Sequence, residues 1–133
     1  MKKYFDISML ASLAVLSLVS CKKGKEGNEC VSYTSAQVTK VDGPNSVSVN
    51  QEIDLSVYYY LSNGCGRFQT IETNTTGNTS IIDLKAKYEG CICTDILLSG
   101  QIIYKFKAQQ VGVYFLKFLQ PNKSYLIDTI TVN

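Results

Sequence analysis

The chain has 133 residues, no His, no Trp and a formal charge of +2. Without imidazole it holds no Ser/His or Cys/His catalytic pair, no cupredoxin-type copper site and no His-ligated zinc. The surplus charge lies near the start, because from Cys30 onward eight basic residues face eight acidic ones; a neutral body carries no electrostatic footprint for nucleic acid.

Lys2 and Lys3 precede thirteen mostly apolar residues, Ile7 to Val19, which are followed by Ser20 and Cys21. A charged start, a short apolar run and a small residue before a cleavage position make a secretory leader. Thirteen residues span about 20 Å as a helix, and a bilayer core is about 30 Å thick. A permanent transmembrane helix is therefore the poorer reading.

Leu18-Val19-Ser20-Cys21 resembles the lipobox of bacterial lipoproteins. The resemblance implies that the Cys21 thiol is acylated with diacylglycerol. It also implies that the leader is cut just before Cys21, which then anchors the mature chain in a membrane. An ordinary leader cleaved without lipidation is the alternative, since Ser20 suits that peptidase too. By analogy with sorting in related lipoproteins, Lys22 implies the outer membrane. No acidic run follows Cys21, which implies the periplasmic face rather than the cell surface.

Three regions follow: a signal peptide over 1–20, a flexible tether over 21–29 and a single domain over 30–133. Residues 22–29 are charged and contain glycine; such a segment reaches roughly 15 Å. Beyond it the chain alternates with the two-residue period of strands, broken by turn residues. Val31–Val41 is the first predicted strand and ends at Asp42-Gly43-Pro44-Asn45. A short piece at Ser46–Asn50 precedes Glu52–Leu61, where Ile53, Leu55, Val57, Tyr59 and Leu61 share one face. After Asn63-Gly64-Cys65-Gly66 comes Arg67–Thr73, whose Phe68 and Ile71 fall out of phase and predict a bulge. Thr79–Tyr88 places Ile82, Leu84, Ala86 and Tyr88 inward, with Asp83, Lys85 and Lys87 outward. Gln101–Ala108, Gly112–Leu119 and Tyr125–Val132 complete the set.

About seven strands rich in Val, Ile, Thr and Tyr predict an antiparallel β-sandwich. It resembles an immunoglobulin-like sandwich in strand count and spacing, without the antibody-type Cys…Trp…Cys pattern. Val-Gly-Val-Tyr-Phe-Leu-Lys-Phe at 111–118 is similar to the late hairpin of many bacterial immunoglobulin-like modules. A small up-and-down barrel is the alternative.

Cys30, Cys65, Cys91 and Cys93 form an even set in an exported chain, which reads as two disulfides. A Cys91–Cys93 bond would close an unusually tight ring, so each is expected to reach elsewhere. If strands run alternately up and down, all four sulfurs converge on one pole, where the tether enters. Cys65–Cys91 with Cys30–Cys93 is the default pairing, and the swapped pairing stands beside it. Redox exchange at Cys91-Ile92-Cys93 or a four-thiolate zinc site is the sharper alternative. Zinc favours wider knuckles, and no Lys, His or helix N-terminus is apparent to lower a thiol pKa. No metal or other cofactor is expected.

Tyr58, Tyr60 and Phe115 point outward by alternation, as do Ile103, Lys105, Lys107 and Lys85. Aromatic rings beside lysines make a candidate platform for a sugar or a protein; the plainer reading is that tyrosine suits strand surfaces. The carboxylates show no paired spacing for glycoside hydrolysis. Asp128-Thr129-Ile130 is similar to short O-glycosylation patterns of some envelope proteins. The expectation is a lipid-anchored binding module, not an enzyme, with a membrane and a protein or glycan as partners and no nucleic acid. A structural subunit of an outer-membrane complex is the second reading. A protease inhibitor presenting Asp42–Asn50 or Ala108–Gly112 is the third.

Overall fold

The computed structural model describes residues 30–133; the leader, Cys21 and the rest of the tether lie outside the described residues. Nine strands form: β1 (Val31–Ser35), β2 (Gln37–Asp42), β3 (Ser46–Val47), β4 (Glu52–Leu61), β5 (Gly66–Thr76), β6 (Thr79–Glu89), β7 (Leu98–Lys107), β8 (Gly112–Leu119) and β9 (Tyr125–Val132). One sheet joins β5, β6, β8, β9 and β3, with β1 also on β6; the other runs β2-β4-β7. The fold is all-β, a sandwich of two sheets as the alternation predicts, and their separation replaces the barrel alternative.

Period-two patterning explains which faces meet. In β4 the five alternate residues Ile53, Leu55, Val57, Tyr59 and Leu61 are buried, while Glu52, Asp54 and Tyr60 are exposed. Ile82, Leu84 and Ala86 of β6 meet them from the other sheet, with Leu116, Phe118 and Ile130. Aromatic pairs cross the interior. Tyr104 and Phe118 stand edge to face at 6.1 Å, Phe106 and Tyr114 at 5.5 Å, and Tyr59 lies 5.9 Å from Phe68. Each such pair adds about 0.5–1.5 kcal/mol beyond its buried area. The predicted bulge is present, because the β5–β6 register shifts between Phe68 and Thr70. That shift lets Phe68 and Ile71 both pack toward the core.

Three expectations are corrected. Val31–Val41 is not one strand: β1 pairs with β6 in one sheet and β2 with β4 in the other. Ala36 makes the corner, buried, with its N–H donated to the Leu84 carbonyl at 2.7 Å. The pairing is also not wholly antiparallel, since β3–β9 and β6–β8 are parallel. Finally, outward Asp83 is only 7 % exposed; its carboxylate lies 2.6 Å from the Lys85 ammonium, which also reaches Glu72 at 3.5 Å.

Two positions yield tests of this packing. Gly100 faces Tyr59 across the β4–β7 ladder, and a Cβ there would run into the tyrosine ring. Gly100→Ala should lower unfolding free energy by about 1–3 kcal/mol in a denaturant titration, as overpacking does. Asp128 occupies an inward-phase position between Leu126 and buried Ile130. Partial burial raises its carboxyl above the usual range, against a backbone hydrogen bond from Thr129 that lowers it. A raised folded pKa gives stability that is present below the unfolded value and lost as pH rises through the folded one. Asp128→Asn should therefore raise the thermal midpoint at neutral pH, with the gain shrinking toward about pH 4, where the unfolded carboxyl titrates.

Candidate functional site

The cysteines converge on one pole, as strand parity implies, but in the swapped arrangement. Cys30 bonds Cys91 and Cys65 bonds Cys93, with Cα separations of 5.0 and 5.4 Å. The default pairing is corrected for a topological reason. β1 and β5 both run antiparallel to β6, on opposite edges, with Val31 opposite Glu89 and Gly66 opposite Tyr88. Past Glu89, the Gly90 N–H bonds the Cys30 carbonyl at 2.9 Å, which brings Cys91 beside Cys30. The chain then crosses toward Cys65. Gly90 carries a φ of 144° there, and a Cβ on it would approach the Cys65 sulfur to 2.8 Å.

The aromatic-and-lysine platform does not assemble. Tyr58, Tyr60, Lys105 and Lys107 lie on the three-stranded sheet, whereas Phe115 projects from β8 on the other sheet. Even within one sheet the groups are apart: Tyr60 pairs with Ser99 and Asp54 with Lys105. Six residues of strand, roughly 20 Å, separate those pairs. Lys105 is engaged by Glu52 at 2.9 Å and Asp54 at 3.2 Å, and those hydrogen bonds raise its pKa. The cation over the Tyr58 ring is Lys40, 5.8 Å from its centroid and paired with Asp42 at 3.0 Å. Lys107 makes no ion pair among the described residues. Thr129 is exposed beside fully buried Ile130.

A different feature emerges where the chain changes sheets. Three neighbouring pockets, of about 320, 230 and 400 Å³, follow one another along β1 and β2. The first and second share Thr34, Ser62 and Tyr88; the second and third share Gln37 and Pro121. Together they form one groove from the disulfide pole to the turn before β9. Tyr60 stands in its middle section with Leu97, and Tyr125 lines its far end. Among the described residues, no Lys, Arg, Asp or Glu lines any part of it.

Local chemistry sets the groove walls. The Tyr88 hydroxyl accepts the Ser62 N–H at 2.9 Å, which leaves its own proton free to donate. Gln120 donates from Nε2 to the carbonyls of Val38 and Phe118 at 3.2 and 3.4 Å, holding β2 against the end of β8. Among the described residues β1 has a strand on one edge only, and so does β2, so backbone amides and carbonyls border the groove. Such a wall of hydroxyls, amides and aromatic faces suits neutral ligands that hydrogen-bond along their length. Of the sequence-derived residues, Tyr60 belongs to it, with Cys30 and Cys93 at its disulfide end. Tyr88, Gln37 and Tyr125 carry no signal in a linear reading, because a sheet switch at Ala36 brings them together.

The second candidate surface is the outside of the larger sheet. Phe115, Val113, Ile81, Ile127 and Tyr125 are exposed there on three adjacent strands, with Lys117 between Ile81 and Ile127. Their alternation with inward neighbours was the available signal, since Ile81 precedes Ile82 and Ile127 follows Leu126.

No curated protein and no solved structure matches the chain. A family model does, over residues 55–132, from within β4 to the end of β9. The matched span contains both faces of the core and three of the four disulfide cysteines, and the chain belongs to the ORF11 beta-sandwich domain family.

Proposed function

We propose that this protein is a lipid-anchored lipoprotein of the cell envelope, held at the periplasmic face of the outer membrane. In this reading its disulfide-stapled sandwich binds a neutral, extended ligand, a glycan strand or a peptide, in the groove along β1 and β2. It works by binding, not by catalysis. The observation that carries the reading is that the described residues lining the groove are all uncharged. A charged ligand would find no partner there, whereas aromatic faces and amides fit sugar rings and peptide units.

The anchoring half of the proposal rests on Leu18-Val19-Ser20-Cys21 after an apolar leader. Two disulfides support it, because such bonds persist in oxidising compartments outside the cytoplasm. The exposed apolar residues on the outer face of β6, β8 and β9 favour a second reading, a structural subunit of an envelope complex, since exposed apolar surface of this kind marks protein contacts. The inhibitor reading finds less support. Val47 in the 42–50 loop is buried, and Val49 and Asn50 bond Asn133 and Ala108, so that loop is packed down rather than presented.

A photoreactive phenylalanine analogue placed at Tyr60 or at Phe115, with crosslinking in intact cells, separates the readings. Groove binding gives adducts from position 60 that disappear when Gln37→Ala and Tyr125→Ala are added. Adducts from position 115 alone favour the complex subunit and count against the groove. Silence at position 60 contradicts the groove reading.

A further inference from the structure

The disulfide pole carries a loop whose Gly90, Cys93 and Leu97 line the groove but whose tip does not. Residues 90–97 connect β6 to β7, and Ile92 at the tip is 95 % exposed. Ile96 is 53 % and Leu97 65 % exposed on the same loop. A lone exposed aliphatic residue needs no explanation, but Ile92 is not on an ordinary loop. Its neighbours Cys91 and Cys93 are bonded to two different parts of the fold, which fixes the backbone on both sides of it. A stapled segment cannot fold its isoleucine back onto the domain. The side chain is held in solvent by covalent bonds.

The position of that pole identifies what covers it. Cys30, the first described residue, is bonded directly to Cys91. Only residues 22–29 separate it from Cys21. Eight residues of any chain span at most about 30 Å. Whatever holds Cys21 therefore lies close to Ile92. We infer that Ile92 and Ile96 insert into the lipid surface that carries the Cys21 anchor, so that the domain docks pole-down on the membrane. The inference rests on the lipid-anchor reading above.

Docking of this kind is apolar rather than electrostatic. The acidic groups near the loop are Asp95 and Glu89, and Glu89 is paired with Lys87 at 3.0 Å. The intervening segment carries Lys22, Lys23 and Lys25 together with Glu26 and Glu29, so no strong charge of either sign gathers at the pole. The two acyl chains of a diacylglycerol anchor hold the protein at the membrane by themselves, so the isoleucines orient the domain rather than retain it. In a pole-down pose the near end of the groove, at Cys30 and Cys93, lies by the membrane, and its far end, at Tyr125 and the turn before β9, is the part left open.

The chain contains no tryptophan, so one introduced residue reports alone. The mature chain is extracted from envelopes and reconstituted in phosphatidylcholine vesicles containing brominated lipid. Ile92→Trp and Ile96→Trp are compared with Ile127→Trp on the outer sheet face, and a thiol assay checks that both disulfides are intact. The expected result is blue-shifted emission, quenched at least twofold, at positions 92 and 96, with water-like, unquenched emission at 127. Vesicle-bound protein whose 92 and 96 probes behave like the 127 probe overturns the docking and leaves the anchor standing. Protein that fails to associate with vesicles and carries an unmodified Cys21 thiol overturns the anchor reading, and the docking with it.

Discussion

A strand has two edges and a fixed set of hydrogen-bonding groups along each, and the way β6 spends its two edges determines the rest of this fold. One edge is filled by β5 along almost its whole length. The other is divided: β8 takes Thr79–Ile82 and β1 takes Lys85–Glu89. Because β8 already occupies the first half, β1 cannot continue past Ser35. The chain gives one last bond, Ala36 N–H to Leu84, and leaves for the other sheet. The groove follows from that departure, since two half-paired strands now meet along a seam with no third strand to close it.

The same division places the sulfurs. β1 and β5 approach the end of β6 from opposite edges, so each brings a cysteine to its own side of the chain leaving Glu89. Cys91 and Cys93 each meet the cysteine on their own side. Closing loops of 61 and 28 residues removes conformational freedom from the unfolded chain, worth about 4 kcal/mol each on entropy alone. A domain of this size with a modest core benefits from that. The staple also ties the seam together where the groove begins.

Much of this was legible in the sequence, and what was not has a physical cause. The alternation in Glu52–Leu61 and Thr79–Tyr88 depends only on neighbours in the chain, and it places the buried apolar residues correctly, though it puts buried Asp83 on the outside. Phe68 and Ile71 announced their bulge because a phase error of one residue is local too. Strand parity brought the four cysteines to one pole, but parity does not say which edge of β6 a strand takes, so the pairing stayed open. The switch at Ala36 was invisible because Val31–Val41 keeps β-propensity throughout; what breaks it is competition with β8, some eighty residues away. Phe115 was grouped with Tyr58 and Tyr60 for a related reason. Alternation tells outward from inward but not one outer face from the other.

Consequently the groove, the pole and the cysteine pairing stand on one claim: β1 and β5 lie on opposite edges of β6, each riveted by its own disulfide. Partial reduction with stepwise alkylation, followed by fragmentation of the 91–93 segment in a mass spectrometer, tests it directly on protein isolated without reductant. The account predicts Cys30 joined to Cys91 and Cys65 joined to Cys93. Cys65 found on Cys91, a bond between Cys91 and Cys93, or free thiols among the four would contradict it.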